Sequence, residues 1–315
     1  MNVWLIGAGN MALQYVKILK RIKANFVVIG RNQASAEELT KLTGVKVITG
    51  GVRKFLETSP PKPSNAIIAI DVTETYSVIE LLVDYGVKNI LTEKPGFLLR
   101  SELVNIQSRL KENLNHVFIG YNRRFYSSVR KLKEFIVNDG GLSSLKFEFT
   151  EWSHLIEDSS HPSAVKEKWI LANSSHVIDL AFYLAGKPKE MSSFIQNSLI
   201  WHHSGAQFFG AGITEKNVGF SYFADWTSSG RWGIEVQTKK NKYILTPLES
   251  LFIQPVGSVE KYEVEDIDYT YDINFKPGLF LEVSDFLAGR VDDLVDLEEM
   301  LQNLKFYEKM SGERY

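Results

Sequence analysis

Gly7-Ala8-Gly9-Asn10-Met11-Ala12 is the stretch whose residue types and spacing point most directly to chemistry. A first glycine permits a tight turn, a second lets backbone approach a pyrophosphate closely, and the small Ala12 lets a helix sit against the preceding strand. A helix starting here aims unpaired N–H groups and the positive end of its dipole at phosphate. The chemistry is dinucleotide recognition, with Gly7, Gly9, Asn10 and Met11 as candidate contacts. Such sites place an acid after the second strand to hold the adenosine ribose. Here Arg31 and Asn32 stand instead. A guanidinium suits a 2′-phosphate, so NADP is expected in preference to NAD. Asp71, Glu93 and Lys94 end two further apolar runs and complete the candidate cofactor contacts.

The elements that must position these residues are legible. Val3–Ile6 reads as a buried strand, and Leu13, Val16, Ile18 and Leu19 fall into helical spacing behind it. Further strands are expected at Phe26–Ile29, Val45–Ile48, Ala66–Ile70, Lys88–Leu91 and His116–Gly120, with helices between them, one over Ser101–Leu114. Continuous apolar strands alternating with helices imply a doubly wound parallel sheet whose ligands bind at the strands' carboxyl ends. From Tyr121 the pattern changes. Leu145–Trp152, Gly219–Phe223 and Trp232–Val236 alternate with period two, the signature of strands wet on one face. The expected architecture is α/β: an N-terminal Rossmann domain over 1–120, then an α+β domain over 121–315 with a large, mostly antiparallel sheet.

Composition narrows the function. The chain has 315 residues, 44% hydrophobic and 23% charged, with net charge −2 and no cysteine. Disulfides and thiolate chemistry are excluded, and no basic block invites nucleic acid. No apolar run approaches the ~20 residues a membrane span needs. The first residues enter a core strand at once, so a cytoplasmic protein without a leader is expected. His202-His203 follows Trp201 in an expected strand, where neighbours point to opposite faces, so no metal site is expected. Ser174-Ser175-His176 is not a nucleophilic triad, because adjacency in sequence does not align a nucleophile with its base. Trp152, Trp169, Trp226 and Arg231 are candidates to line a binding site.

Gly7-Ala8-Gly9-Asn10-Met11-Ala12, Glu93-Lys94-Pro95, Asn122-Arg123-Arg124-Phe125 and His176-Val177-Ile178-Asp179 occur in this order. Over essentially its whole length the chain thereby resembles the glucose–fructose oxidoreductase/inositol dehydrogenase (Gfo/Idh/MocA) family. The resemblance implies an NAD(P)-dependent oxidoreductase acting on a sugar, cyclitol or sugar nucleotide, with a substrate cleft between two domains. It also implies a homodimer or homotetramer, the flat antiparallel sheet being the expected interface. Lys94 corresponds to the lysine that contacts the substrate hydroxyl and the nicotinamide ribose. An ammonium there stabilises alkoxide character during hydride transfer. His176 corresponds to the general acid or base, a role that imidazole fills near neutral pH. Asp179, one helical turn on, is expected to orient the ring. Arg123 and Asn173 join Lys94 and His176 as candidate substrate contacts.

One departure matters. Many members of that family carry an aspartate four residues before the histidine, and here the position is Ala172. Asn173 and Ser175 are polar neighbours, but neither is a carboxylate. This departure makes a dinucleotide-binding regulatory protein without turnover one alternative; the resemblance implies a second, a cofactor-assisted glycoside hydrolase, since some relatives cleave glycosidic bonds that way.

Overall fold

The computed structural model describes residues 2–113 and 116–315, which divide into two compact units. The first is Met1–Tyr121 with Ile273–Leu301. Its strands are β1 (Asn2–Ile6), β2 (Asn25–Ile29), β3 (Val47–Ile48), β4 (Asn65–Ile68), β5 (Asn89–Glu93) and β6 (His116–Gly120). They lie in the order β6-β5-β4-β1-β2-β3 and are parallel throughout. Strand order reverses between β1 and β4, the switch point at which such sheets bind ligands. The helices are α1 (Asn10–Arg21), α2 (Gln33–Thr43), α3 (Gly51–Glu57), α4 (Val72–Tyr85) and α5 (Arg100–Asn113). Helix α1 buries Ala12, Tyr15, Val16, Ile18 and Leu19, one stripe at helical spacing, and carries Lys20 and Arg21 at its negative end. Helix α5 fits the expectation over Ser101–Leu114, except that Leu114 lies outside the described residues.

Two strands are shorter than their apolar runs. β4 stops at Ile68 because Asp71 caps α4, so Ala69 and Ile70 must make the turn, although the Ala69 N–H still donates to the Ile6 carbonyl at 2.8 Å. β3 keeps only Val47 and Ile48 of the expected four residues. The strand Val295–Asp296 pairs antiparallel with β6. The helix Leu279–Ala288, read from sequence with the second domain, also belongs to this unit.

The second unit is Asn122–Asp272 with Gln302–Tyr315. After helix α6 (Ser127–Asn138) come β7 (Ser144–Glu148), β8 (Pro188–Gln196), β9 (Gln207–Thr214), β10 (Gly219–Asp225), β11 (Gly233–Gln237), β12 (Asn241–Leu245), β13 (Phe252–Pro255) and β14 (Tyr262–Glu263). Their order is β14-β13-β12-β11-β7-β10-β9-β8, antiparallel except for the parallel β7–β10 pair. One face is covered by the helix Ser175–Ala185, whose Phe182 meets Phe147 and Phe220 edge-on at 5.5 and 5.1 Å. On the other face, cross-strand register aligns Phe194, Phe209 and Phe223 in one row, with Phe194 65% and Phe223 42% exposed.

The strand expected to reach Trp152 ends at Glu148, which frees Glu151 and Trp152 from the sheet ladder. The expected strand through Trp201 and His202 is absent. Instead Asn197 takes φ 57°, and His202 sits in a turn with a single bridge to Leu199. Its imidazole is fully buried between the Gly205 carbonyl (Nδ1, 2.7 Å) and the Glu313 carboxylate (Nε2, 2.9 Å). Tertiary packing, not strand periodicity, sets this segment. Among the described residues no group of histidine and carboxylate side chains is placed to hold a metal ion, and no helix is long and apolar enough to cross a membrane.

Candidate active site

In the first unit the glycine turn joins β1 to α1. Gly7 has φ 126°, and a Cβ there would meet the Ala69 carbonyl oxygen at 2.2 Å, so only glycine lets the backbones of β1 and β4 pass. Gly9 differs. A Cβ there would meet no atom within 4 Å, and the residue is exposed. Gly9 also caps α1 without a side-chain hydrogen bond, leaving the first N–H groups of the helix to an outside acceptor. Asn10 is exposed and Met11 half-buried beside it. The turn therefore fits a dinucleotide: open space where backbone must be approached, with oriented donors behind it.

The neighbouring candidates are partly engaged. Arg31 lies 73% exposed after β2 and pairs with Glu74 of α4 at 3.3 Å. The Asn32 side chain accepts from the Ser35 N–H at 3.0 Å and thereby caps α2. Asp71 caps α4, accepting from the Thr73 N–H at 2.9 Å and the Thr73 hydroxyl at 2.6 Å. These two polar side chains do the work of helix caps. The Glu93 carboxylate accepts from the Tyr15 hydroxyl at 2.7 Å. Burial first, then the Glu93 and Glu282 carboxylates, hold the Tyr15 phenol well above its ordinary pKa. Lys94 follows β5, half-buried.

In the second unit His176 lies in the first turn of the helix Ser175–Ala185, 6% exposed. A π-helical turn, Ile170–Ser174, precedes it and contains the buried Ala172. Such turns re-aim side chains and recur at functional sites. A buried carboxylate stands against this turn. Glu151, 2% exposed beyond the end of β7, accepts from the Ser174 hydroxyl at 2.7 Å and the Asn173 amide at 3.0 Å on one oxygen. Its other oxygen accepts from Arg231 at 2.8 Å. Burial raises the Glu151 pKa, and the Arg231 charge and these hydrogen bonds oppose that rise. Sequence inspection missed Glu151. The only signal was an acid closing an alternating run just before a tryptophan.

Trp232, 5% exposed, lies 6.1 Å from the His176 ring and gathers both nearby arginines. Arg123 and Arg231 place their Cζ atoms 4.7 and 4.5 Å from its ring centre. Arg231 also lies over Trp152 at 4.8 Å. Arg123, Asn173 and His176 are thus brought together, with Glu151, Arg231 and Trp232 added. Asp179 has another partner. Both its oxygens accept from Arg124, at 2.8 and 2.6 Å, and the two side chains are 1% and 3% exposed. Trp152 and Trp226 line a neighbouring cleft of about 590 Å³ with Ser153 and Leu199. Trp169 packs against Trp201 and His161.

The chain thus pairs a parallel sheet carrying an open glycine turn at its switch point with a mostly antiparallel sheet carrying a cluster of His176, Glu151, Arg123 and Arg231. No family model matches the chain, and no curated protein matches it in sequence. Solved structures do match. An NAD-binding oxidoreductase from Klebsiella pneumoniae aligns with TM-score 0.78 and 14% identity, over 99% of this chain and 96% of that one. UDP-N-acetylglucosamine 3-dehydrogenase from Acidithiobacillus ferrooxidans aligns with TM-score 0.76 and 16% identity, over 99% and 97%. Levoglucosan dehydrogenase, in complex with NADH and L-sorbose, aligns with TM-score 0.76 and 17% identity, over 100% and 97%. The chain has the fold of these oxidoreductases.

Proposed function

We propose that this protein is a nicotinamide-dinucleotide-dependent oxidoreductase acting on a hydroxyl-bearing carbon of a carbohydrate. The observation that carries this reading is the open Gly7–Gly9 turn at the switch point of the first sheet. Gly7, Gly9, Asn10 and Met11 would hold the cofactor's pyrophosphate, which suits unpaired N–H groups at a helix start. When bound, the cofactor supplies or accepts hydride. The protein's own residues bind, orient and manage one proton.

Lys94 is assigned to polarise the reacting oxygen, and His176 to exchange the hydroxyl proton. Glu151 braces the segment that carries His176, through Asn173 and Ser174, and so fills the place of the carboxylate absent at 172. Arg31 is the candidate for a 2′-phosphate. To serve it, the guanidinium must leave Glu74, an exposed pair worth about 0–1 kcal/mol.

Calorimetric titration with NAD(H) and NADP(H) tests the reading. Gly9→Val places a branched side chain in space that no protein atom occupies, so it should abolish binding of both cofactors and leave thermal stability unchanged. Undiminished cofactor binding by folded Gly9→Val would remove the assignment. Equal affinities for the two cofactors in the native protein would remove the role of Arg31.

A further inference from the structure

Two arginines adjacent in sequence have opposite fates in the second unit. Arg124 is paired in the ordinary structural way, with two hydrogen bonds to a buried carboxylate. Arg123 is not. Among the described residues no carboxylate lies within ion-pair distance of it, and the one hydrogen bond of its guanidinium is a long contact of 3.5 Å to the Asn122 side-chain oxygen. It rests instead on the Trp232 indole, half-buried. Burial depresses its pKa, and so does the Arg231 charge, while the Tyr126, Glu249 and Glu151 charges oppose from a distance. A desolvated cation without a counter-ion destabilises the fold that holds it. A chain gains from keeping one where a ligand supplies the missing charge.

Arg231 completes the arrangement. One of its nitrogens is committed to Glu151 at 2.8 Å, but the side chain is 42% exposed and a guanidinium carries five donors. Glu151 therefore neutralises and orients Arg231, leaving the charge of Arg123 uncompensated. The two Cζ atoms lie no further apart than the sum of their distances to the indole, 9.2 Å. The His176 ring is 6.1 Å from the same indole. One monosaccharide can therefore carry an anionic group at the arginines and a hydroxyl at the imidazole.

We infer that Arg123 and Arg231, held against Trp232, form a binding site for an anionic group on the substrate, the carboxylate of a sugar acid or the phosphate of a sugar phosphate. Planar guanidiniums bind either group through paired N–H donors. The anion site stands on the geometry of the second unit alone. The word substrate rests on the proposed oxidoreductase reading.

The test is calorimetric titration of the full-length protein with D-glucuronate, D-glucose 6-phosphate and D-glucose. At least one anionic sugar should bind tenfold or more tightly than D-glucose, and which one it is distinguishes carboxylate from phosphate. Charge-assisted hydrogen bonds of this kind correspond to about tenfold to a hundredfold in affinity. Arg123→Met should erase the preference, Arg123→Lys should restore part of it, and unliganded Arg123→Met should melt no lower than the native protein. A structural arginine would give the reverse: lower melting and an unchanged preference. Should Arg123→Met fail to fold, Arg231→Met must show the same loss.

The inference falls if D-glucose binds as tightly as both anions, if Arg123→Met keeps the preference, or if Arg123→Met weakens NADH binding and not sugar binding. Cofactor reduction by D-glucose with no preference for either anion would overturn the anion site and leave the oxidoreductase reading standing. Anion binding that depends on Arg123, without turnover of any of the three, would uphold the site and count against that reading.

Discussion

Asp179→Asn should unfold the second unit well before it alters any chemistry. The substitution keeps the shape of the side chain and removes its charge, taking the counter-charge of Asp179 from Arg124, whose side chain is 3% exposed. Breaking a buried pair from one side destabilises by about 3–5 kcal/mol. The second unit has about 165 residues. At ~2.1 cal/mol/K of unfolding entropy per residue, that corresponds to a fall of roughly 9–14 °C in its melting temperature. Much of the loss comes from the uncompensated guanidinium, so Arg124→Leu/Asp179→Leu, which removes both charges, should be more stable than Asp179→Asn. Thermal and guanidinium denaturation followed by far-ultraviolet circular dichroism would measure all three proteins. A loss below ~1 kcal/mol in Asp179→Asn, or a double variant that loses the sum of its singles, would refute the reasoning. Lost turnover at unchanged stability would return Asp179 to the orientation of His176.

Three further outcomes are expected. Single-turnover hydride transfer should fall about 10²–10⁴-fold in His176→Ala, with Lys94→Met also depressed in rate more than in substrate affinity; native rates in both would deny either residue its role. Asp139 is half-buried just past the end of α6, and hydrogen bonds from Asn241, Thr238 and Tyr243 outweigh its partial desolvation to hold its carboxyl below the usual range. With its folded pKa depressed, its stabilisation is complete above the unfolded value of ~3.9 and is lost as pH falls through the folded value. Asp139→Asn should therefore destabilise by about 2–3 kcal/mol at pH 7 and by less at pH 3, and an equal difference at both would contradict the assignment. We also propose that the exposed Phe194–Phe209–Phe223 row is covered by a second copy of the chain, because apolar rows left open on a sheet mark contact faces. Phe194→Asp should lower the mass seen by sedimentation velocity, and an unchanged mass would exclude this face.

Much of the first unit was legible because its signals are local. The glycine turn, the apolar strands and the helical spacing behind β1 each act within a few residues of sequence. The position of Lys94 at the end of β5 was legible for the same reason, because an apolar run stops just before it. In the second unit the decisive contacts are distant in sequence. Asp179 sits one helical turn from His176 and reads as its neighbour, yet Arg124, 55 positions away, claims it. Nothing local tells which of Arg123 and Arg124 turns inward to a carboxylate. Glu151 reaches Asn173 across 22 positions, so this buried carboxylate could not be read from the residues around 172. His202 looked like a strand residue because Trp201 and its neighbours are apolar. Burial against Trp226, 4.7 Å away, explains that pattern equally well.

The interleaving of the two units has a consequence for how the molecule is made. The first sheet is nearly complete once residue 120 has left the ribosome. Its β6 edge nevertheless waits for Val295–Asp296, and Phe118 waits for Phe286. The intervening residues of the second unit must all be synthesised first. Until then β6 presents unpaired backbone groups beside an uncovered aromatic, the arrangement that recruits foreign strands. Vectorial, unit-by-unit folding, the usual course for multidomain chains, cannot close the N-terminal unit here. A fragment cut after the first domain would keep that edge exposed, whereas one that restores 273–301 through a short linker would seal it.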